Sequence, residues 1–276
     1  MARTVQTLRL SLFTLLLGTV AMPAAPLATD GASTAHRLLL FGGEEAVRSG
    51  YYALANGQQK LGDVFFTFGY NFNSESRLNT YLYGNVGYGA AKYTLGGTSP
   101  WMKMLGLKLG GGLRYAISEE TDLRIGGAYQ SAHFVAGTPT GGHGYEAQAS
   151  LSYHPWLGEW NPYLRANLRY AGTSVDFQGA NSSTHSVIGK IRAGIFTPVF
   201  AHPFGQALRI EVYGTALTLH GDMPRLLGTR YLWNIGTTAY LQSPVLQDWI
   251  NDLTLGVKMI RGEKFKGLSV GVGVKF

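Results

Sequence analysis

Leu268, Val270, Val272, Val274 and Phe276 alternate without a break against Gly267, Ser269, Gly271, Gly273 and Lys275. A β-strand turns successive side chains to opposite faces, so this pattern presents one continuous apolar face and one face of small or polar residues. The period recurs. From Asp63 to Asn73, Val64, Phe66, Phe68, Tyr70 and Phe72 share a face against Thr67, Gly69, Asn71 and Asn73. A chain that repeats this period from about residue 61 onward is folding into sheet, and every strand has an apolar side that needs covering.

Further strands are predicted near residues 79–93, 103–117, 121–135, 143–154, 162–176, 185–198, 207–220, 229–242 and 252–262. Most reach the ~9–11 tilted residues that cross a bilayer. A secreted β-sandwich would also alternate. Two features favour lipid over a second sheet as the cover. The non-apolar face is rich in Gly and carries long charged side chains, which a wet lumen tolerates. Aromatic residues gather toward strand ends, at Tyr70 and Phe72, Tyr115, Tyr153 and Trp156, Trp160 and Tyr163, Tyr231 and Trp233, and Trp249, as interfacial girdles do. The mean hydropathy of +0.01 is no objection, because only every second residue of such a strand faces lipid. The fold class is therefore all-β, a transmembrane antiparallel β-barrel. Both barrel ends on one side require an even strand count, so the eleven visible strands imply a twelfth before residue 61, with Arg48–Asn56 the best candidate. Twelve strands is the expected number, ahead of ten or fourteen. Turns at Ser74–Arg77, Ser118–Glu120, Trp156–Asn161 and Ala201–Gln206 are expected at one end, and longer loops around 96–102, 136–142, 177–184 and 221–228 at the other.

The first residues read as a secretory signal. Arg3 and Arg9 precede an apolar run from Leu10 to Val20, and small residues follow at Ala21, Ala24, Ala25 and Ala28. The run is too short for the ~20 residues of a spanning helix. The expected organisation is a signal peptide over 1–28, an N-terminal segment over 29–46 that is a candidate short helix or plug, and a barrel over 47–276. The expected location is the outer membrane. The chain has no cysteine, which excludes disulfides and thiolate metal sites.

With the apolar face toward lipid, the opposite face is expected to line the interior. That face carries a basic ladder of Lys108, Arg114, Arg124, Arg165, Arg169, Lys190, Arg192, Arg209 and Lys258, with Glu146 and Glu211 as its chief acidic partners. Such a ladder either lowers the barrier for small anions and acidic sugars or packs a narrow lumen together with its acids.

No catalytic signature accompanies this frame. His133, His143, His185 and His220, with Ser131, Ser186, Asp176 and Asp222, fall near one rim, but no G-x-S-x-G or H-E-x-x-H occurs. Gly110–Gly111–Gly112 precedes no helix bearing Lys and Ser/Thr, so it is no phosphate loop. Neither cofactor, metal nor catalytic residue is expected, and the chain is not expected to be an enzyme. The net charge of +7 is dispersed through the strands, which disfavours nucleic acid as a partner. Anionic lipopolysaccharide is the better-matched partner, met through Lys92, Arg225, Arg230, Lys264 or Lys266.

The terminal hairpin from Gly262 to Phe276 resembles the closing hairpin of outer-membrane barrels, and the resemblance makes Leu268, Val270, Val272, Val274 and Phe276 a signal for barrel-assembly machinery. Together with Leu226-Leu227-Gly228-Thr229-Arg230-Tyr231-Leu232-Trp233-Asn234-Ile235-Gly236, it resembles the solitary autotransporter-like barrels over about the last third of the chain. The resemblance implies a twelve-stranded translocator-type barrel without a passenger domain, a structural or surface-interaction role, and no catalytic residues. The competing expectation is a narrow channel for anions or acidic oligosaccharides.

Overall fold

A computed structural model describes residues 31–41, 49–54, 59–72, 76–92, 101–135, 140–177, 179–242 and 252–275. The expected signal peptide, the longer part of the expected loops at 96–102 and 136–142, Trp249 and Phe276 lie outside the described residues.

Twelve antiparallel strands close into one barrel. They are β1 (Ser49–Leu54), β2 (Gln59–Phe72), β3 (Leu78–Lys92), β4 (Trp101–Ala116), β5 (Thr121–Val135), β6 (Thr140–Tyr153), β7 (Asn161–Phe177), β8 (Ala180–Phe196), β9 (Ala207–Gly221), β10 (Tyr231–Gln242), β11 (Asp252–Gly262) and β12 (Phe265–Lys275). Each pairs with its sequence neighbours, and β1 closes the ring against β12 from Ser49↔Val270 to Leu54↔Phe265. The strand expected within Arg48–Asn56 is thus the shortest of the barrel and the one on which closure depends. Closure leaves no edge, so the ladder satisfies the backbone amides without water.

The connections correct one expectation. The segment 177–184 is not a loop: β7 runs to Phe177 and β8 begins at Ala180, joined across 178–179. Ser174 donates a hydrogen bond to Asn181 and Ser183 to Ser174, so this Ser/Asn-rich stretch is a hairpin whose outward polar side chains bond one another at the surface. Nor do longer connections mark the end away from the barrel termini. The shortest, 178–179 and 263–264, lie there, while 197–206 at the terminal end is among the longest.

Two helices belong to the end opposite the termini, called distal below. Helix α1 (Gly31–Phe41) lies inside the barrel against β3 to β7. Helix α2 (Met223–Leu227), in the β9–β10 connection, ends at Gly228, whose φ of 69° is a left-handed conformation suited to glycine. Met223, Leu226 and Leu227 of α2 are buried and share one apolar cluster with Ala35 and Leu39 of α1.

Two aromatic belts bound the outer apolar band. Tyr88, Trp101, Tyr129, Tyr145, Tyr170, Tyr231 and Trp233 are exposed toward the distal end, and Tyr70, Phe72, Tyr115, Tyr153, Trp156 and Trp160 toward the terminal end. Leu82, Leu107, Leu109, Leu113, Ile125, Leu168, Val257, Leu268 and Val270 are exposed between them.

Glycines set the contact between β4 and β5. A Cβ on Gly112 would stand 2.2 Å from the Ile125 carbonyl oxygen and 2.7 Å from both Gly126 Cα and the Tyr81 hydroxyl. Tyr81 therefore lies flat over a surface that only glycine provides. Gly112→Val is expected to destabilise the barrel by about 1–3 kcal/mol, the usual cost of overpacking, and to lower the temperature at which the compact form is lost on a heat-modifiability gel.

Candidate functional site

The lumen is filled in layers. Its distal layer is apolar: Met102, Met104, Ala132, Phe134, Ala171, Val175, Ile188, Leu219, Leu232, Ile260 and Phe265 point inward and are buried around Ala35, Leu39 and helix α2. This overturns the simple assignment of apolar residues to lipid and polar residues to the interior. At the distal ends of β5 to β8 the polarity of the two faces is exchanged. Ser131, His133, His143, Asp176, Asn181, Ser183 and His185 are exposed on the outside, whereas their neighbours Ala132, Phe134, Val175 and Ile188 are inside. The reason is length. A 17-residue strand extends about 56 Å at ~3.3 Å per residue, more than a tilted crossing uses, so β7 and β8 continue into water and bury an apolar interior there.

Helix α1 is tied into this layer by one polar residue. His36 is 1% exposed, with Nδ1 2.6 Å from Thr173 Oγ1 and Nε2 3.1 Å from Ser182 Oγ. Thr173 Oγ1 in turn lies 2.7 Å from Thr184 Oγ1. An imidazole with both nitrogens engaged fixes the rotation of the helix, because burying it without partners would be costly. Leu39 seats over Gly142, where an added Cβ would fall 2.9 Å from its Cδ1.

Below the helix the lumen carries charge. Lys108 Nζ lies 2.7 Å from Glu146 Oε1, and Arg169 Nη2 lies 2.8 Å from Glu146 Oε2. Tyr83 donates a hydrogen bond to the same carboxylate at 3.0 Å. All three charged side chains are nearly inaccessible, so two cations and one anion face each other in a low-dielectric space. Toward the terminal end, Arg192 reaches Glu211 at 2.6 Å, and its Nε donates to the Tyr163 hydroxyl at 2.7 Å. Glu211 also accepts from Tyr163 and, at 2.8 Å, from Tyr240. The Arg192 guanidinium stacks 3.6 Å from the Tyr213 ring centroid.

A third cluster surrounds Asp122, which accepts from Arg124 Nε at 2.9 Å and lies 3.6 Å from Arg114 Nε. His154, in the turn after β6, stands 3.9 Å from Asp122. Burial, reinforced by the Arg165 charge, holds this imidazole below its ordinary range, so at neutral pH it is an uncharged neighbour of the carboxylate.

Five of the nine residues of the basic ladder are set against acids. Lys108 and Arg169 share Glu146, Arg192 takes Glu211, and Arg114 and Arg124 share Asp122. Arg165 Nε donates to Ser152 Oγ at 3.1 Å. Lys190 lies opposite Asn167 and is half-buried, and Lys258 is buried on β11. Arg209 Nε is buried without a hydrogen-bond partner among the described residues. Sequence reasoning missed Asp122, although parity with Arg124 on one strand places both inside. It also missed the tyrosine donors Tyr83, Tyr163 and Tyr240, and the anchoring role of His36. Of the rim residues, Ser186 is buried, while Asp222 turns back to accept from the His185 amide at 2.9 Å. Leu268 and Val270 face outward; β12 carries Val272 and Val274, whose side chains lie outside the described set.

Solved structures with this architecture decide the fold. The translocator domain of the autotransporter NalP from Neisseria meningitidis is similar with a TM-score of 0.61 at 12% identity, over 83% of this chain and 85% of that one. The fold is that of an autotransporter-like outer-membrane β-barrel. The β domain of the Bordetella autotransporter BrkA is similar at TM-score 0.59 and 13% identity, over 83% of this chain and 97% of that one. The transport unit of AIDA-I from Escherichia coli follows at 0.54 and 14%, over 91% and 100%. No protein-family model matches the sequence, and no curated protein does. At these identities the likeness is one of fold, that of a closed antiparallel barrel of the translocator kind.

Glu146 is the residue on which the central layer turns. Glu146→Ala removes the carboxylate that Lys108 and Arg169 share, at an expected cost of about 3–5 kcal/mol, read as a lower denaturant midpoint in detergent. The triple variant Lys108→Met, Glu146→Leu, Arg169→Met is expected to recover most of that loss.

Proposed function

We propose that this chain is a closed outer-membrane barrel of the solitary autotransporter-like type, with a structural or surface-interaction role and a lumen that is filled rather than conducting. Helix α1 inside the barrel, anchored through His36 and Leu39, is the observation that carries this reading. The charge layers support it as well. A basic lumen built for anions would leave its cations facing water, whereas Lys108, Arg169 and Arg192 are shielded and within ion-pair distance of a carboxylate, and the partly exposed Arg114 and Arg124 share Asp122.

On this reading residues 1–28 export the chain, and the exposed apolar face of β12 at Leu268 and Val270 is offered to the assembly machinery as the last strand is handed into the membrane. The terminal end then stays toward the periplasm, from which the chain arrives, and the distal end with its polar outer face stands outside. Lipopolysaccharide and the surrounding lipid are its immediate partners.

The folded protein in a planar lipid bilayer is expected to give no steady conductance, and deletion of residues 31–41 is expected to produce discrete open steps. Steady anion-selective steps from the intact chain would overturn the closed-lumen reading and return the basic ladder to a transport role.

A further inference from the structure

A second concavity lies on the outside of the barrel, where the exchange of faces begins. It has a volume of about 810 Å³ and is bordered by Val86, Leu105 and Leu107 on one side and by Ser131, His133, His143, Ser174, Asp176 and Asn181 on the other. Strand register orders these residues. Leu107 pairs with Ser131, Ser131 with His143, His143 with Ser174, and Ser174 with Ser183, which makes one outward row across five strands. In the next row toward the distal end, Leu105 pairs with His133 and His133 with Gly141, and Asp176 follows opposite Asn181. Toward the membrane centre the same strands carry Tyr129, paired with Tyr145, and the Tyr129 and His143 rings stack with centroids 6.3 Å apart.

The floor is made by an absent side chain. A Cβ added at Gly141 would meet nothing within 4 Å, and its backbone is not in the left-handed region. The open space is therefore a property of the surface and not of a strained turn.

We infer that this groove docks the sugar–acyl junction of an outer-leaflet glycolipid, the lipid A portion of lipopolysaccharide. Depth and chemistry both select this ligand. The groove sits where the distal tyrosine belt marks the passage from hydrocarbon to headgroups. Its β3–β4 wall is apolar and suits an acyl chain. Its β5–β8 wall offers hydroxyls, imidazoles, an amide and one carboxylate, a mixed set of donors and acceptors that matches sugar hydroxyls. No lysine or arginine is among the lining residues, so a phosphate is not what this wall is built to hold. The inference rests on the proposed orientation, with the distal end outside, but not on the closed lumen, since the groove faces away from it.

The test is retention of lipid A. The intact protein is refolded into nanodiscs of phosphatidylethanolamine containing rough lipopolysaccharide, extracted in mild detergent, and its bound lipid identified by mass spectrometry. Wild type is expected to keep lipid A in preference to phosphatidylethanolamine. Gly141→Trp, which fills the groove, is expected to reduce retention about tenfold, equivalent to about 1.4 kcal/mol, while Val257→Trp on β11, across the barrel, leaves it unchanged. If Gly141→Trp does not reach the compact heat-modifiable form, Ser131→Leu with His143→Leu carries the same expectation. Equal retention by wild type and the folded groove variant, or retention of phosphatidylethanolamine in place of lipid A, would overturn the inference.

Discussion

Hydrocarbon offers a backbone amide no water. A sheet that crosses it has to pair every amide within itself, and the only sheet without an unpaired edge is a closed one. The rest of this molecule follows from that requirement. Closure forces the six-residue strand β1 to bridge β2 and β12. It also creates an enclosed interior that an open sheet lacks, and everything that lipid refuses must be placed there.

How that interior is filled divides it into levels. Where the strands lie within the bilayer, the inward face holds charge, and cations are set against carboxylates: Glu146 between Lys108 and Arg169, Glu211 with Arg192, Asp122 with Arg114 and Arg124, the first and last clusters keeping a positive excess. These pairs add little net stability over apolar side chains of equal volume, because each ion is desolvated to form them. Arg165 and Arg192 face each other across β7 and β8, a like-charge pairing in which Arg165 bonds Ser152 and Arg192 bonds Glu211. Where the strands leave the bilayer the logic reverses. Water now wets the outside, and the inside becomes an apolar core around α1 and α2.

This reversal explains how much was legible in the sequence. Period-two alternation and strand parity led to the barrel, to the twelve strands, to the hidden first strand near Tyr51, and to the inward setting of residues such as Lys108 and Glu146. Alternation says that faces differ; it does not say which face meets water at a given height. The Ser/Asn-rich stretch around 177–184 therefore looked like a loop, and the rim histidines looked like a cluster, although His143 and His185 face outward while Ser186 is buried. His36 could not be assigned from sequence at all, because its partners Thr173 and Ser182 lie more than a hundred residues away and are brought to it only by the closed ring. The ligand of the outer groove was equally hidden, since it depends on cross-strand rows that no local pattern displays.

The central claim, that helix α1 is packed inside the barrel and closes it, can be met directly because the chain has no cysteine of its own. Ala35 is fully buried on α1, and a single Ala35→Cys substitution introduces a thiol of modest size there. Ser183, exposed on the outer face of β8, takes Ser183→Cys as its reference. In intact cells and in folded detergent-extracted protein, a membrane-impermeant maleimide should modify the Ser183 variant and spare the Ala35 variant, and heat unfolding should expose both. Modification of the Ala35 variant in the folded protein at the rate of the Ser183 variant would contradict a helix seated in the lumen.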